Sequence, residues 1–131
     1  GIPVTHREYS SSFTVITGHQ RSSQAEEIQW ENIAQKADTL VIYMGMKNLA
    51  TICKQLMKHG RNESTPVAVI HWGTTKEQQT IVGTLSDIVD KVTAHSITNP
   101  AIIVVGEVVK LNKELAWFEQ ERANIDLSLI I

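Results

Sequence analysis

The sequence predicts an α/β layered domain built on a mixed sheet, and three observations carry that reading. Short apolar or β-branched runs alternate with stretches whose apolar residues recur at helical spacing. Two of the runs, 66–70 and 79–85, follow each other so closely that antiparallel pairing is favoured. Glycine closes the carboxyl end of several runs, at Gly18, Gly45, Gly73 and Gly106.

Taken in order, residues 1–11 are polar and without period. FTVIT at 13–17 is β-branched and bounded by Gly18, which reads as a strand. Residues 18–27 are serine-rich and read as a loop. Ile28, Trp30, Ile33 and Ala34 give a short helical face over 28–36. TLVIYM at 39–44 is a continuous apolar run, the pattern of a buried strand, ended by Gly45. Leu49, Ile52, Cys53, Leu56 and Met57 recur at helical spacing, with Gly60 as the stop. PVAVI at 66–70 and the run at 79–85 are the next two strands, turning at 73–75. Thr84 or Ser86 is positioned to cap a helix whose apolar face is Ile88, Val89 and Val92. Pro100 precedes a buried strand at 101–105. A last helix is expected over 111–121, and the apolar tail from 124 to 131 has no period. The expected order is β-α-β-α-β-β-α-β-α.

Composition narrows the function classes. The chain has 131 residues, enough for one domain that needs no disulfide or metal staple. Its net charge of -2 and the lack of any basic run argue against nucleic-acid binding. Its single cysteine, Cys53, suits a reducing cytoplasm, and its position on the apolar helix face reads as a buried thiol. No apolar run approaches the ~20 residues of a membrane span, and the first residues, without a basic stretch followed by an apolar core, do not read as a signal peptide. The opening Gly1-Ile2-Pro3-Val4 reads as chain interrupted in mid-sequence, so a fragment or processed product is expected.

No self-sufficient catalytic constellation is visible. Nucleophile elbow, phosphate loop, zinc motif and C-x-x-C are all absent, and the five histidines lack metal-ligand spacing. The expected catalytic and metal sets are therefore empty. Glycines at the carboxyl ends of strands mark where open α/β sheets bind ligands, although most such glycines are plain turns.

The blocks GIPVTHREYSSS, FTVITGH, IQWENIA, TLVIYMGM, TPVAVIHWGTTKEQQTIVGTL and AIIVVGEVVKL occur in one order with natural spacing. Together, over residues 1–118, they resemble the C-terminal portion of uroporphyrinogen-III C-methyltransferases, within the tetrapyrrole methylase family. The tail 119–131 is left unassigned. The resemblance implies a class III methyltransferase domain that binds S-adenosyl-L-methionine, released as S-adenosyl-L-homocysteine, in a trough between two α/β domains. The glycine-proline-rich loop of the first domain has no counterpart here, so the N-terminal domain of the same enzyme is an expected partner and the chain alone an expected incomplete enzyme. The implied substrate is uroporphyrinogen III, methylated on two pyrrole carbons to give precorrin-2 for sirohaem and cobalamin. The implied state is a cytoplasmic homodimer, with no nucleic-acid or membrane partner.

The resemblance carries over to particular residues. Met44 in Y-M-G corresponds to a methionine at the trough. Gly73 corresponds to a glycine whose backbone contacts cofactor, and Ala68 to a backbone contact with adenine. Gly83 and Thr84 are expected near the same trough. His6 and Arg7, after the linker, are expected to hold substrate carboxylates. Trp72 is of interest as the neighbour of Gly73, while Trp30 and Trp117 read as packing residues. Two other readings stand beside this one: a sister enzyme of the same fold (a precorrin methyltransferase or diphthine synthase), and a non-catalytic binding or dimerisation module.

Overall fold

The computed structural model describes residues 1–19 and 29–117. The apolar runs form five strands: β1 (Phe13–Thr17), β2 (Thr39–Tyr43), β3 (Pro66–His71), β4 (Gln79–Thr84) and β5 (Ala101–Val105). The helices are α1 (Trp30–Lys36), α2 (Leu49–Lys58), α3 (Ile88–Ala94) and the single turn α4 (Asn112–Leu115). One mixed sheet results, in the order β1-β2-β5-β3-β4. β1 and β2 are parallel, and every other neighbouring pair is antiparallel. The expected antiparallel pairing of β3 with β4 is therefore met.

Burial decides the layers. Leu40 and Ile42 of β2, Val67 and Val69 of β3, and Ile103 and Val105 of β5 point to one face. There they pack against Ala34 of α1, Leu49, Ile52, Cys53 and Leu56 of α2, and Ile88 and Val92 of α3. Each Leu or Ile sealed in this layer contributes roughly 1.5–3 kcal/mol of transfer free energy. The other face is thinly covered. Ala68 and Val104 pack there with Ile2, Ile70 and Val109. Phe13, Val15, Tyr43 and Val82, which alternate with the helix-facing residues of their strands, remain 39–52% exposed.

Three local expectations differ from the structure. The last helix is not a regular α-helix from 111: a 3-10 segment, Glu107–Leu111, precedes the one turn of α4, and 118–121 lie outside the described residues. Neither Thr84 nor Ser86 caps α3. Their hydroxyls meet each other at 2.9 Å, and Asp87 stands at the N-cap position. Its carboxylate instead accepts the Thr84 amide at 2.7 Å, so the acidic side chain fastens the strand exit and not the helix start. The strand expected to run through residue 44 ends at Tyr43, because Met44 has turned into the left-handed region. The apolar tail also falls outside the described residues.

Candidate functional site

Strand direction sorts the loops between two rims. β3 runs the same way as β2, since both oppose β5. The carboxyl ends of β1, β2 and β3 therefore share one rim with the amino ends of β4 and β5. Gly18, Met44, Gly45, Trp72, Gly73, Pro100 and Ala101 all lie along it. Gly106 does not: β5 ends on the opposite rim, where a side chain at 106 would press on the carbonyl of Asp38. One of the four strand-end glycines is thus remote from the other three.

The rim is built by close backbone approach. The Gly18 amide donates to the Tyr43 carbonyl at 2.6 Å, and the Asn48 side chain donates to the Gly18 carbonyl at 2.7 Å. A methyl group at Gly18 would come within 2.5 Å of the Gly45 Cα, so only glycine lets the two loops meet. Further along, the Trp72 amide donates to the Pro100 carbonyl, and the Trp72 carbonyl accepts both the amide and the hydroxyl of Thr75. Gln78 accepts the Thr74 amide at 2.8 Å.

Backbone strain concentrates here. Met44 (φ 53), Trp72 (φ 49) and Thr74 (φ 69) are three of the four non-glycine residues with positive φ among the described residues. Each such residue costs roughly 1–2 kcal/mol against a right-handed alternative. Clustered strain of this kind, held by surrounding hydrogen bonds, is characteristic of functional loops. Met44 and Trp72 are also large and exposed, at 58% and 48%.

A groove of about 400 Å³ opens beside Met44, lined by His19, Tyr43, Met44, Lys47, Asn99, Pro100 and Ala101. Its apolar walls come from Tyr43, Met44, Pro100 and Ala101. Among the described residues, Lys47 is the one permanently charged side chain on its lining, and no carboxylate lines it. A larger groove of about 550 Å³ lies between the start of α2 and the end of α3 and shares only Lys47 and Asn99 with the first. It holds none of the residues marked by sequence, so the rim groove is the better site despite its smaller size.

The expected residues divide accordingly. Met44 and Gly73 are exposed on the same rim, on strands separated by β5 alone, which spaces them by roughly 10 Å. Ala68 is fully buried in the middle of β3, paired with Val82 on one side and Val104 on the other. Gly83 and Thr84 stand at the carboxyl end of β4, opposite Val67 and Pro66, and so belong to the far rim. His6 and Arg7 also lie toward that rim. Their turn closes through the His6–Ser10 bridge, and the Ser10 hydroxyl meets that of Thr39 at 2.7 Å. The structure thus does not bring Gly83, Thr84, His6 or Arg7 to the groove. It brings instead Lys47 and Asn99, which sequence reading passed over, and His19, whose place just after a strand reads from sequence as a capping or surface position. Lys47 carried a signal, standing three residues after Met44 and directly after the TLVIYMGM block.

On the far rim the chemistry is structural. Asp38 accepts the amides and hydroxyls of both Ser11 and Ser12 on one oxygen at 2.9–3.1 Å. The Ser11 hydroxyl, followed by its amide and the hydroxyl of Ser12, holds this carboxyl below its ordinary value. No metal-capable cluster of His, Cys, Asp and Glu exists among the described residues.

Comparison with known proteins agrees with this architecture. Residues 1–89 match the family model described as Tetrapyrrole (Corrin/Porphyrin) Methylases. β5 lies beyond that match yet occupies the centre of the sheet, so the folded unit extends past it. A uroporphyrinogen-III C-methyltransferase of Priestia megaterium is 54% identical over 112 residues, which is 86% of this chain and 47% of that protein. A siroheme synthase of Pseudomonas entomophila is 45% identical over 119 residues, 91% of this chain and 26% of that protein. The uroporphyrin-III C-methyltransferase of Thermus thermophilus, solved with S-adenosyl homocysteine, superposes with a TM-score of 0.70 at 24% identity, over 84% of this chain and 48% of that one. That likeness establishes the shared fold. The chain spans between a quarter and a half of the length of these relatives.

Proposed function

The chain belongs to the tetrapyrrole (corrin/porphyrin) methylase family, and from that premise we propose that it forms the C-terminal half of an S-adenosylmethionine-dependent uroporphyrinogen-III C-methyltransferase. The reaction methylates two pyrrole carbons of uroporphyrinogen III and gives precorrin-2, on the route to sirohaem and cobalamin. One observation carries the reading. In a chain 54% identical to a protein of that name, Met44 and Gly73 share a strained rim beside an apolar groove.

The residues present fit one side of an adenosyl group. Tyr43, Met44, Pro100 and Ala101 offer apolar surface, and the exposed Gly73 amide makes no hydrogen bond among the described residues. S-adenosylmethionine, when bound, supplies a methyl carbon on a positively charged sulfur, open to in-line displacement by an electron-rich pyrrole carbon. What this chain contributes is positioning, which can lower such a barrier by several kcal/mol, up to roughly 7–11. Met44 sets a polarizable thioether against the groove. Lys47, on the same lining as His19, meets one of the eight carboxylates of the substrate. Among the described residues no carboxylate on the groove lining is placed to take the pyrrole proton, and the reading assigns the base to the other half of the enzyme.

The same reading makes the enzyme a cytoplasmic homodimer, with the N-terminal domain of each subunit facing this rim. No helix among the described residues is long and apolar enough to cross a membrane. The methylase domain is taken to end near residue 118, with 119–131 outside it.

The test is product analysis with the complete protein, S-adenosylmethionine and anaerobic uroporphyrinogen III. Sirohydrochlorin or a trimethylated pigment after oxidation is expected. Methylation of a different precorrin instead would move the chain to a sister enzyme. Lys47→Gln is expected to raise KM for uroporphyrinogen by about 3–10-fold and leave KM for S-adenosylmethionine within a factor of two.

A further inference from the structure

Trp72 has no part in the reading above, yet the fold goes to some length to present it. It directly follows β3 and precedes Gly73. Its φ of 49 is unusual for any bulky residue and needs outside support. That support is visible on both sides of the residue. Its amide donates to Pro100 at 3.3 Å, and its carbonyl accepts the Thr75 amide at 3.2 Å and the Thr75 hydroxyl at 2.8 Å. The backbone is therefore over-determined while the indole is left 48% exposed, its ring contact among the described residues being with His71, edge to face at a centroid separation of 5.9 Å. A tryptophan serving only the core of this domain would be turned inward, as the residues of β3 on either face are. Met44 repeats the arrangement two strands away, left-handed and 58% exposed. Between them Pro100 and Ala101 line the groove. Trp72 is not on the groove's own lining; it stands along the same rim, roughly 10 Å from Met44, outside the apolar surface given to the adenosyl group. An exposed indole there suits a broad ligand with aromatic rings that reaches beyond the groove, whereas one small heterocycle in the groove would not meet it.

Resting on the methyltransferase reading, we propose that Trp72 is a substrate-binding residue whose indole takes a pyrrole ring of the macrocycle. Offset stacking of an electron-rich pyrrole on the larger indole is the contact expected. The cofactor, held nearer Met44 and Gly73, depends little on it.

The experiment uses the complete protein and its Trp72→Ala and Trp72→Phe variants. Binding of anaerobic uroporphyrinogen III is followed by tryptophan emission and by KM, and binding of S-adenosylhomocysteine by calorimetry. Trp72→Ala is expected to weaken uroporphyrinogen binding about tenfold, Trp72→Phe by less than about threefold, with S-adenosylhomocysteine affinity unchanged in both. Unaltered uroporphyrinogen binding in Trp72→Ala would overturn the proposal. So would an equal loss of both ligands, since that marks a structural role. Failure of the unmodified protein to bind S-adenosylhomocysteine at all would instead reject the cofactor reading on which the proposal rests.

Discussion

At the scale of single residues, close contact and desolvation govern what can change. Cys53 sits in the layer between α2 and the sheet, 3% exposed, and burial pushes its thiol up to about 11. The thiolate is the reactive form, so native protein is expected to resist Ellman's reagent at pH 8 and to react fully once unfolded. Labelling at the rate of free cysteine in native protein would show that the thiol is not sealed. Gly18 offers the opposite case, a position where one added carbon is too many. Gly18→Ala places its Cβ 2.5 Å from backbone that cannot rotate away, and a cost of about 1–3 kcal/mol is expected in thermal or urea denaturation. Asp38 and Asp87 both have carboxyls held below their ordinary values, Asp38 chiefly by the Ser11 hydroxyl and Asp87 chiefly by the Thr84 amide. A carboxylate with a lowered folded pKa stabilises the protein above its unfolded value and loses that contribution as pH falls through the lowered one. Acid unfolding below about pH 4 should therefore become shallower in Asp38→Asn. The effect will be small, because the group is open to solvent.

At the scale of elements, position in the sheet sets the order of stability. β3 and β5 are paired on both sides and buried, whereas β1 is an edge strand paired only with β2. Its residues alternate between exposed and half-buried, and its entry is fastened by the Asp38 clasp to Ser11 and Ser12. Amide exchange is expected to be faster in β1 than in β3 and β5, and faster still in Asp38→Ala. Equal protection across the sheet would contradict this. Ile103, fully buried in β5 and close to the loop at Gly45, joins the central strand to the candidate rim. Ile103→Ala is expected to cost about 2–5 kcal/mol in urea unfolding. The sequence made α2 legible because its apolar stripe is complete. It did not show the 3-10 segment Glu107–Leu111 because the chain after β5 has no stripe, and that segment packs against β3, with Val109 beside Ile2 on the thinly covered face.

At the scale of the whole molecule, among the described residues α1, α2 and α3 cover one face of the sheet. Phe13, Val15, Tyr43 and Val82 leave apolar surface on the other, the kind of patch that marks an interaction site. The 131-residue chain by itself is expected to self-associate in sedimentation experiments and to do so less as Val15→Lys. A strict monomer at high concentration would count against that surface being an interface. The same chain is expected to bind S-adenosylhomocysteine weakly and to methylate nothing, since only one wall of the groove is its own. Measurable turnover by these residues alone would overturn the idea that a second half completes the site.

Local pattern alone determined the five strands, the helix over α2 and the presence of glycines at strand ends, because period, β-branching and turn chemistry are properties of neighbours in the chain. The likeness of its blocks to a known family was equally a matter of sequence order. Only the tertiary structure decided which strand ends share a rim. That depends on β5 entering between β2 and β3, a pairing of residues far apart in sequence with no local signature. Met44 and Gly73 consequently fall together with Lys47 and Trp72, while Thr84, Arg7 and Gly106 fall on the other side.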